Sequence, residues 1–182
     1  MKNAHFIWFM RHGQTDYNLL GLCNDDPAKE VLLTEQGLQQ TRQAAEQLKD
    51  IPLQQILVSP LPRTRQTAEI VNQYHQVPII KKDEIIDIHS GFESKPVSDY
   101  FAAIAPDRLH LKFNGGESLL EHKQRIVKFI DTLRQDKSQR TLVVAHEETL
   151  RVVKAYFESL TDEQMLDLHF ENCEILEYSF QT

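Results

Sequence analysis

Short apolar segments alternate with segments of helical periodicity along most of the chain. Segments predicted as strands lie at residues 6–10, 56–58, 77–80, 142–145 and 173–178. Longer segments with apolar residues near helical spacing lie at residues 34–49, 62–74, 118–133 and 148–159. Strands that alternate with helices predict an α/β fold, here a three-layer α/β/α sandwich with a mostly parallel central sheet. We expect the final strand to pair antiparallel.

Residues 88–116 interrupt this alternation. They contain two prolines and three glycines, and their only helical candidate is short, at residues 98–105. This segment is either an insertion over one edge of the sheet, where it forms a lid, or structureless linkage. No linker rich in Pro, Gly or Ser divides the chain, so we expect one domain over residues 1–182.

Composition excludes several classes of protein. A chain of 182 residues, 41% of them hydrophobic, can bury about 70% of its unfolded surface, which is typical of a globular domain. The 27 acidic and 20 basic residues give a formal charge of −7. Proteins that bind nucleic acid or anionic membranes usually carry the opposite charge, so we expect neither partner.

Cysteine usage and the length of apolar runs indicate the compartment. Cys23 and Cys173 are too few for a disulfide framework and do not have metal-ligand spacing. The longest uninterrupted apolar run, residues 6–10, is too short for a membrane span or a signal peptide. We therefore predict a cytoplasmic protein with reduced thiols.

Polar side chains follow the predicted strands at the points where the strands end. Arg11 and His12 follow the first strand, Arg63 comes shortly after the second, and His146 follows the fourth. Asp87 comes slightly later after the third strand. Because ligands of open α/β sheets bind beyond the carboxyl ends of the strands, we expect these side chains to face one site.

Two histidines and two arginines at one rim suit a phosphoryl group. Arginine offers a fork of N–H donors to phosphate oxygens, and a neutral imidazole can attack phosphorus to give a phosphohistidine. The helix predicted beyond His146 would direct its N-terminal amides at the same point. A metal site is the competing explanation for paired histidines, but the adjacent arginines would repel a cation. We expect no metal and no cofactor.

Five short motifs occur in order along the chain. They are RHGQT at 11–15, LTEQG at 33–37, SPLPRTRQTA at 59–68, GGES at 115–118 and VVAH at 143–146. Together they resemble the histidine phosphatase superfamily, in its phosphoglycerate-mutase-like branch, over nearly the whole chain. The resemblance implies that fold and a phosphatase that needs no metal.

The resemblance also implies roles for individual residues. His12 would be the nucleophile and become transiently phosphorylated, and His146 would act beside it in the phosphate pocket. The other phosphate-binding side chains would be those of Arg11 and Arg63, with Thr15 and Asn18 adding neutral donors at the edge.

The expected proton donor departs from the family pattern. The family usually places a glutamate there, in an L-x-E segment, whereas this chain has Asp87, which is one methylene shorter. A leaving alkoxide needs a proton, so we predict Asp87 as the acid and then as the base that activates water. Glu93 and Glu84 are the alternatives.

Two further departures concern the substrate. Glu147 stands where the family often has glycine, and it either weakens anion binding, orients a cationic substrate or turns outward. Residues 21–27 offer no cation where many relatives have an arginine, and they add Asp25 and Asp26. A second phosphate there would meet like charge, so we predict poor activity on bisphosphorylated sugars and weak or no phosphoglycerate mutase activity.

The leading hypothesis is a metal-independent phosphomonoesterase that acts in two steps on a small phosphorylated metabolite or a phosphoprotein. One rival is a phosphoglycerate mutase. The other is a phosphate-site binding or regulatory protein that has lost efficient turnover. The sequence does not specify the physiological substrate or the oligomeric state.

Overall fold

A five-stranded sheet forms the centre of the fold in the computed structural model, which describes residues 5–136 and 140–180. The strands are β1 (His5–Arg11), β2 (Gln55–Val58), β3 (Ile79–Lys81), β4 (Arg140–Ala145) and β5 (Ile175–Phe180). Their order is β3-β2-β4-β1-β5; β5 pairs antiparallel to β1, and the other neighbours are parallel. The predicted mostly parallel sheet is confirmed, and its last strand is antiparallel as expected.

The helices surround this sheet. They are α1 (Asp16–Leu20), α2 (Glu35–Leu48), α3 (Pro62–Val71), α4 (Val97–Ile104), α5 (Leu119–Gln135), α6 (Glu147–Glu158) and α7 (Asp162–Leu166), with a 3-10 turn at Asp83–Ile85. None of the helices in the described part of the chain is long and apolar enough to cross a membrane.

Alternation along the strands divides the core into two clusters. Ile7 and Phe9 of β1 pack in the cluster that includes buried residues of α5 and α6. Trp8 and Met10, which point to the opposite face, pack with buried residues of α2 and α3. Helices therefore cover both faces of the sheet, which is the predicted three-layer arrangement.

Some element boundaries differ from the predicted ones because side chains or turns end the elements. The helix predicted over 62–74 ends at Val71, where the Asn72 amide hydrogen-bonds both backbone groups of Val77 at 2.9 Å and turns the chain. The last strand, β5, starts at Ile175, two residues later than predicted, because Cys173 lies in a turn with a φ of +63°.

Two short helices were not predicted. Helices α1 and α7 have five residues each, and each begins with a capping box, at Thr15 and at Thr161. Five residues are too few to show a clear helical period, so only the capping pattern marks them in the sequence.

The 88–116 segment is folded and joined to the loop that follows α1. The Cys23 N–H donates to the carbonyl of Lys95 at 2.9 Å, and the Val97 N–H donates to the carbonyl of Gly21 at 2.8 Å. Helix α4 buries Tyr100 in the core. The segment is thus not structureless linkage, and its role as a lid stays a prediction.

Two of the sequence motifs meet at a close backbone contact. A Cβ atom on Gly37, in the first turn of α2, would lie 2.1 Å from the carbonyl oxygen of Gln14. On the other side, a Cβ on Gly13 would lie 2.7 Å from the Gly37 carbonyl oxygen. Glycine at both positions lets α2 support the loop that carries His12.

We expect the substitution Gly37→Ala to push α2 away from this loop. Overpacking of this kind typically costs about 1–3 kcal/mol of unfolding free energy, measurable by denaturant titration. Gln36→Ala, at an exposed position of the same turn, is the matched control and should cost little. Equal stability of the two variants would contradict the close-contact interpretation.

Candidate active site

Two histidines lie side by side at the carboxyl ends of β1 and β4. The His12 N–H donates to the carbonyl of Ala145 at 3.1 Å, which continues the β1–β4 ladder to the start of the next loop. His146 follows β4 directly and is the N-cap of α6. The two imidazole centroids lie 5.3 Å apart, and both side chains are buried.

Hydrogen bonds give His12 one defined tautomer. Its Nδ1 lies 2.7 Å from the carbonyl oxygen of Gly13, which accepts only, so Nδ1 carries the proton. Its Nε2 accepts a hydrogen bond from Arg63 Nε at 3.1 Å. Burial, and then the charge of Arg63, hold the pKa of His12 well below its usual value. His12 is therefore a neutral imidazole with its lone pair on Nε2.

Arg63 holds the site together. It lies in the first turn of α3, and its side chain is only 5% exposed. Besides His12, its guanidinium contacts both the side-chain and the backbone oxygen of Asn24, with the backbone contact at 3.0 Å. Its Nη2 also lies 3.0 Å from Asp87 Oδ2 and 3.3 Å from His146 Nδ1.

His146 can take either neutral tautomer. Its Nε2 lies 2.7 Å from the hydroxyl of Ser59, which can donate or accept, and its Nδ1 faces Arg63 and Asp87. Burial, and then the charge of Arg63, lower the pKa of His146 well below its usual value. The ring can therefore accept from Arg63 at Nδ1 or donate from there to a phosphate oxygen.

Arg11 is paired with Glu147. Arg11 Nη1 lies 2.8 Å from Glu147 Oε2, and it also donates to the carbonyl of Phe170. The same carboxylate contacts Arg151 and His169, each at 2.8 Å. Glu147 thus does not turn outward, which was one of the three alternatives from the sequence. It neutralises a predicted phosphate ligand.

Thr15 and Asn18 are both at the site but are bound to each other. The Thr15 hydroxyl accepts from the Asn18 N–H at 3.2 Å and lies 3.1 Å from Asn18 Oδ1. Oδ1 also accepts from the Thr15 N–H at 2.9 Å. The Thr15 hydroxyl is therefore used in capping α1, whereas Asn18 keeps its Nδ2 amide as a donor.

Of the carboxyl groups predicted as proton donors, the structure brings Asp87 to the histidines. Glu93 turns to the 24–26 loop, where it accepts from the Asp25 N–H at 2.7 Å and from Asn24 at 3.2 Å. Burial alone would raise the pKa of Glu93, but these hydrogen bonds and Lys29 lower it to about 2. Glu84 is exposed on the 3-10 turn and does not line the cavity.

A cavity of about 500 Å³ opens at His12, beside which His146 lies. The charged side chains that line it are Arg11, Arg63, Asp87, Glu147, Glu148, Arg151 and Glu171. Its apolar wall includes Leu22, Val97, Tyr100 and Phe101, from the loop after α1 and from α4. In the described part of the chain, His, Cys, Asp and Glu form no cluster that could hold a metal ion.

Sequence reasoning missed Asn24, Glu148 and Arg151. Asn24 lies within residues 21–27, which were considered from the sequence only for their charge. Glu147, Glu148 and Arg151 share the first turns of α6, so the site gains a cation from a helix rather than from residues 21–27. For the residues of α6, the sequence did carry a signal: Glu147 and Arg151 are four residues apart, directly after the second histidine motif.

The sequence of this chain is matched by a known family. A family model described as the histidine phosphatase superfamily (branch 1) matches residues 7–182. The chain belongs to this superfamily. An uncharacterized phosphatase, PhoE, of Bacillus subtilis is 30% identical to this chain, over 77% of this chain and 70% of its own.

Other similar proteins are named for several activities. The adenosylcobalamin/alpha-ribazole phosphatase of Salmonella typhimurium is 28% identical over 82% of this chain and 77% of its own. A probable phosphoglycerate mutase, GpmB, of Erwinia tasmaniensis is 25% identical over 93% and 82%. The crystal structure of the alpha-ribazole phosphatase from Shigella flexneri superposes with a TM-score of 0.85 at 23% identity, over 97% and 94%.

These comparisons confirm the predicted superfamily and the phosphoglycerate-mutase-like α/β fold. They also confirm the predicted enzyme class, a phosphatase of the histidine phosphatase type.

We expect the substitution Glu147→Gln to tighten the binding of inorganic phosphate by about 3- to 10-fold, because it frees Arg11 from a carboxylate that competes with the anion. Isothermal titration calorimetry measures this dissociation constant directly. Glu163→Gln makes the same change at an exposed position of α7 and should leave it unaltered. Weaker phosphate binding by Glu147→Gln would contradict the competition.

Proposed function

We propose that this histidine phosphatase hydrolyses a small phosphorylated molecule through a phosphohistidine on His12, without a metal ion. The observation that carries the proposal is the bonding of His12, whose neutral Nε2 has its lone pair directed at the guanidinium of Arg63. A phosphate drawn to that guanidinium would bring its phosphorus within reach of the lone pair.

In the first step, Nε2 of His12 attacks phosphorus and the bond from phosphorus to the leaving oxygen breaks. Charge grows on the equatorial phosphate oxygens. Arg63 and Arg11 would stabilise it with N–H donors, and His146 with its Nδ1. The N-terminus of α6, which begins directly after His146, adds its backbone amides and dipole.

In the second step, water attacks the phosphorus of the phosphohistidine, the bond to Nε2 breaks, and inorganic phosphate leaves. The leaving oxygen needs a proton in the first step, and the attacking water must lose one in the second. One carboxyl group can do both. Asp87, predicted from the sequence, and Glu148 are both on the cavity wall.

The charges in the cavity favour a monophosphate. The cationic side chains that line it are those of Arg11, Arg63 and Arg151, and each contacts a carboxylate at 2.8–3.0 Å. A second anionic group on the substrate would find no uncompensated cation among these residues. This favours a phosphatase over a phosphoglycerate mutase, which must hold both a carboxylate and a phosphate.

The size of the cavity and the named relatives support a small substrate. About 500 Å³ suits a small metabolite. Two relatives are named adenosylcobalamin/alpha-ribazole phosphatase and phosphoserine phosphatase 1. A phosphoprotein side chain is the wider alternative that the sequence left open.

Hydrolysis of 4-nitrophenyl phosphate in excess EDTA tests the proposal. We expect the unaltered protein to turn over and His12→Ala to lose about 10³-fold or more, because the nucleophile is gone. His110→Ala removes an exposed histidine from the 88–116 segment and should keep the activity.

Three results would contradict the proposal. One is unchanged activity of His12→Ala. Another is phosphate transfer between positions of 3-phosphoglycerate, dependent on a bisphosphoglycerate primer, in place of hydrolysis. The last is an inactive protein over about pH 5–8 that still binds vanadate, which would favour the phosphate-binding protein without turnover.

A further inference from the structure

Glu148 shares the cavity wall with Asp87, and the two-step mechanism needs only one carboxyl group that transfers a proton. Glu148 is the second residue of α6, two positions after His146, and its side chain is 15% exposed. It lines the same cavity as His12 and Asp87. A carboxyl group held in this position requires an explanation, because burying a carboxylate without full compensation is costly.

The negative charge of Glu148 is only partly compensated, because the guanidinium of Arg151 that it contacts also contacts Glu147. Arg151 Nη1 lies 3.4 Å from Glu148, whereas Arg151 Nη2 lies 2.8 Å from Glu147. Glu147 has a second guanidinium, Arg11, at 2.8 Å. Two carboxyl groups thus compete for Arg151, and Glu147 has the better contacts. Of these two carboxyl groups, Glu148 therefore holds a proton more easily than Glu147.

The electrostatics agree with this distribution of charge. The titratable and charged groups around Glu148 are Arg11, Cys23, Asp87, Tyr100, Glu147 and Arg151. Burial is the main cause that raises the pKa of Glu148 to about 7. The negative charges of Asp87 and Glu147 also raise this pKa, whereas the positive charge of Arg151 lowers it. A carboxyl group with that pKa is half protonated near neutral pH and can both give and take a proton.

Asp87 is in the opposite situation. Its Oδ2 lies 3.0 Å from Arg63 Nη2, and the Arg63 side chain is 5% exposed. Of the contacts that Arg63 makes, this is the one with a carboxylate; the others are with Asn24, His12 and His146. Removing this carboxylate would leave a buried guanidinium without its partner, which is strongly unfavourable. Asp87 therefore serves to hold Arg63 in place.

We propose that Glu148 is the catalytic acid and base of the two-step reaction, and that Asp87 is a positioning residue that orients Arg63. This inference rests on the proposed phosphohistidine chemistry. In the first step, as Nε2 of His12 bonds to phosphorus, the Glu148 proton moves to the leaving oxygen, which departs as an alcohol. In the second step, the Glu148 carboxylate takes a proton from water as its oxygen bonds to phosphorus and the bond to Nε2 breaks. Water is thus consumed, phosphate is released, and Glu148 is protonated again.

Leaving groups of different basicity separate an acid from a positioning residue. The nitrophenolate of 4-nitrophenyl phosphate departs without a proton, whereas the alkoxide of an alkyl phosphate such as glycerol 2-phosphate does not. The ratio kcat/KM covers the steps up to the phosphohistidine, so the hydrolysis of that intermediate does not enter. Only loss of the acid should change the preference between the two esters.

We therefore expect Glu148→Gln to lower kcat/KM for glycerol 2-phosphate by about 100-fold or more, and for 4-nitrophenyl phosphate by less than about 5-fold. Glu148→Asp keeps the carboxyl group and should recover part of the alkyl activity. Asp87→Asn should lower kcat/KM for both esters together, since Arg63 serves both. Glu163→Gln on α7 is the control at an exposed glutamate, and the thermal midpoint of each variant checks its folding.

The pH profile gives an independent readout. The acid must be protonated, so kcat/KM of the unaltered enzyme for glycerol 2-phosphate should fall as pH rises through about 7, where the pKa of Glu148 lies. In Glu148→Gln that decline should disappear.

Two results would overturn the inference while leaving the proposed function in place. One is an active enzyme in which Glu148→Gln lowers kcat/KM equally for both esters. The other is an Asp87→Asn variant that loses only the alkyl activity. A wild-type enzyme inactive on both esters would overturn the proposed function and this inference together.

Discussion

The site depends on the buried guanidinium of Arg63. A charge buried to this extent must be surrounded by acceptors, and the chain supplies them from the end of β1, the loop after α1, the segment after β3 and the end of β4. Arg63 thereby joins four separate parts of the sequence at one point. The same contacts orient His12 and His146. Burial is the main cause that lowers the pKa of both rings, and the charge of Arg63 adds to it, so this buried cation sets the geometry of the site and contributes to its protonation.

The carboxylates of the site follow from the same requirement. Asp87 balances Arg63, and Glu147 balances Arg11 at 2.8 Å, so both arginines that were predicted to bind phosphate carry a counter-charge. Glu148 has only a shared cation and is left as the group that exchanges protons. The roles of these carboxyl groups are thus distinguished by their distances to guanidinium groups, not by their residue type.

Much of the fold could be predicted from the sequence, because buried strands and amphipathic helices leave a clear period. Arg11, His12, Arg63 and His146 could be predicted because they follow strand ends. The first three line one cavity, and His146 lies beside His12 and Arg63. Asn24 could not be predicted, since its importance comes from contacts with a distant segment. Glu148 was missed although its partner Arg151 lies three residues on in the same helix, because that spacing alone does not show that both side chains line the cavity. The choice of Asp87 as acid came from motif position alone, which says nothing about its ion pair with Arg63. Five-residue helices such as α1 were missed because they are too short to show a period.

The most direct test of the central claim is to trap the phosphoenzyme and locate its phosphate. The enzyme is mixed with 4-nitrophenyl phosphate and quenched in alkali, where phosphohistidine survives, and is then analysed by peptide mass spectrometry and 31P NMR. We expect phosphate on Nε2 of His12, because Nδ1 of that ring donates its proton to the carbonyl of Gly13 at 2.7 Å. Phosphate on Nδ1, on another residue, or on no residue during rapid turnover would contradict the claim.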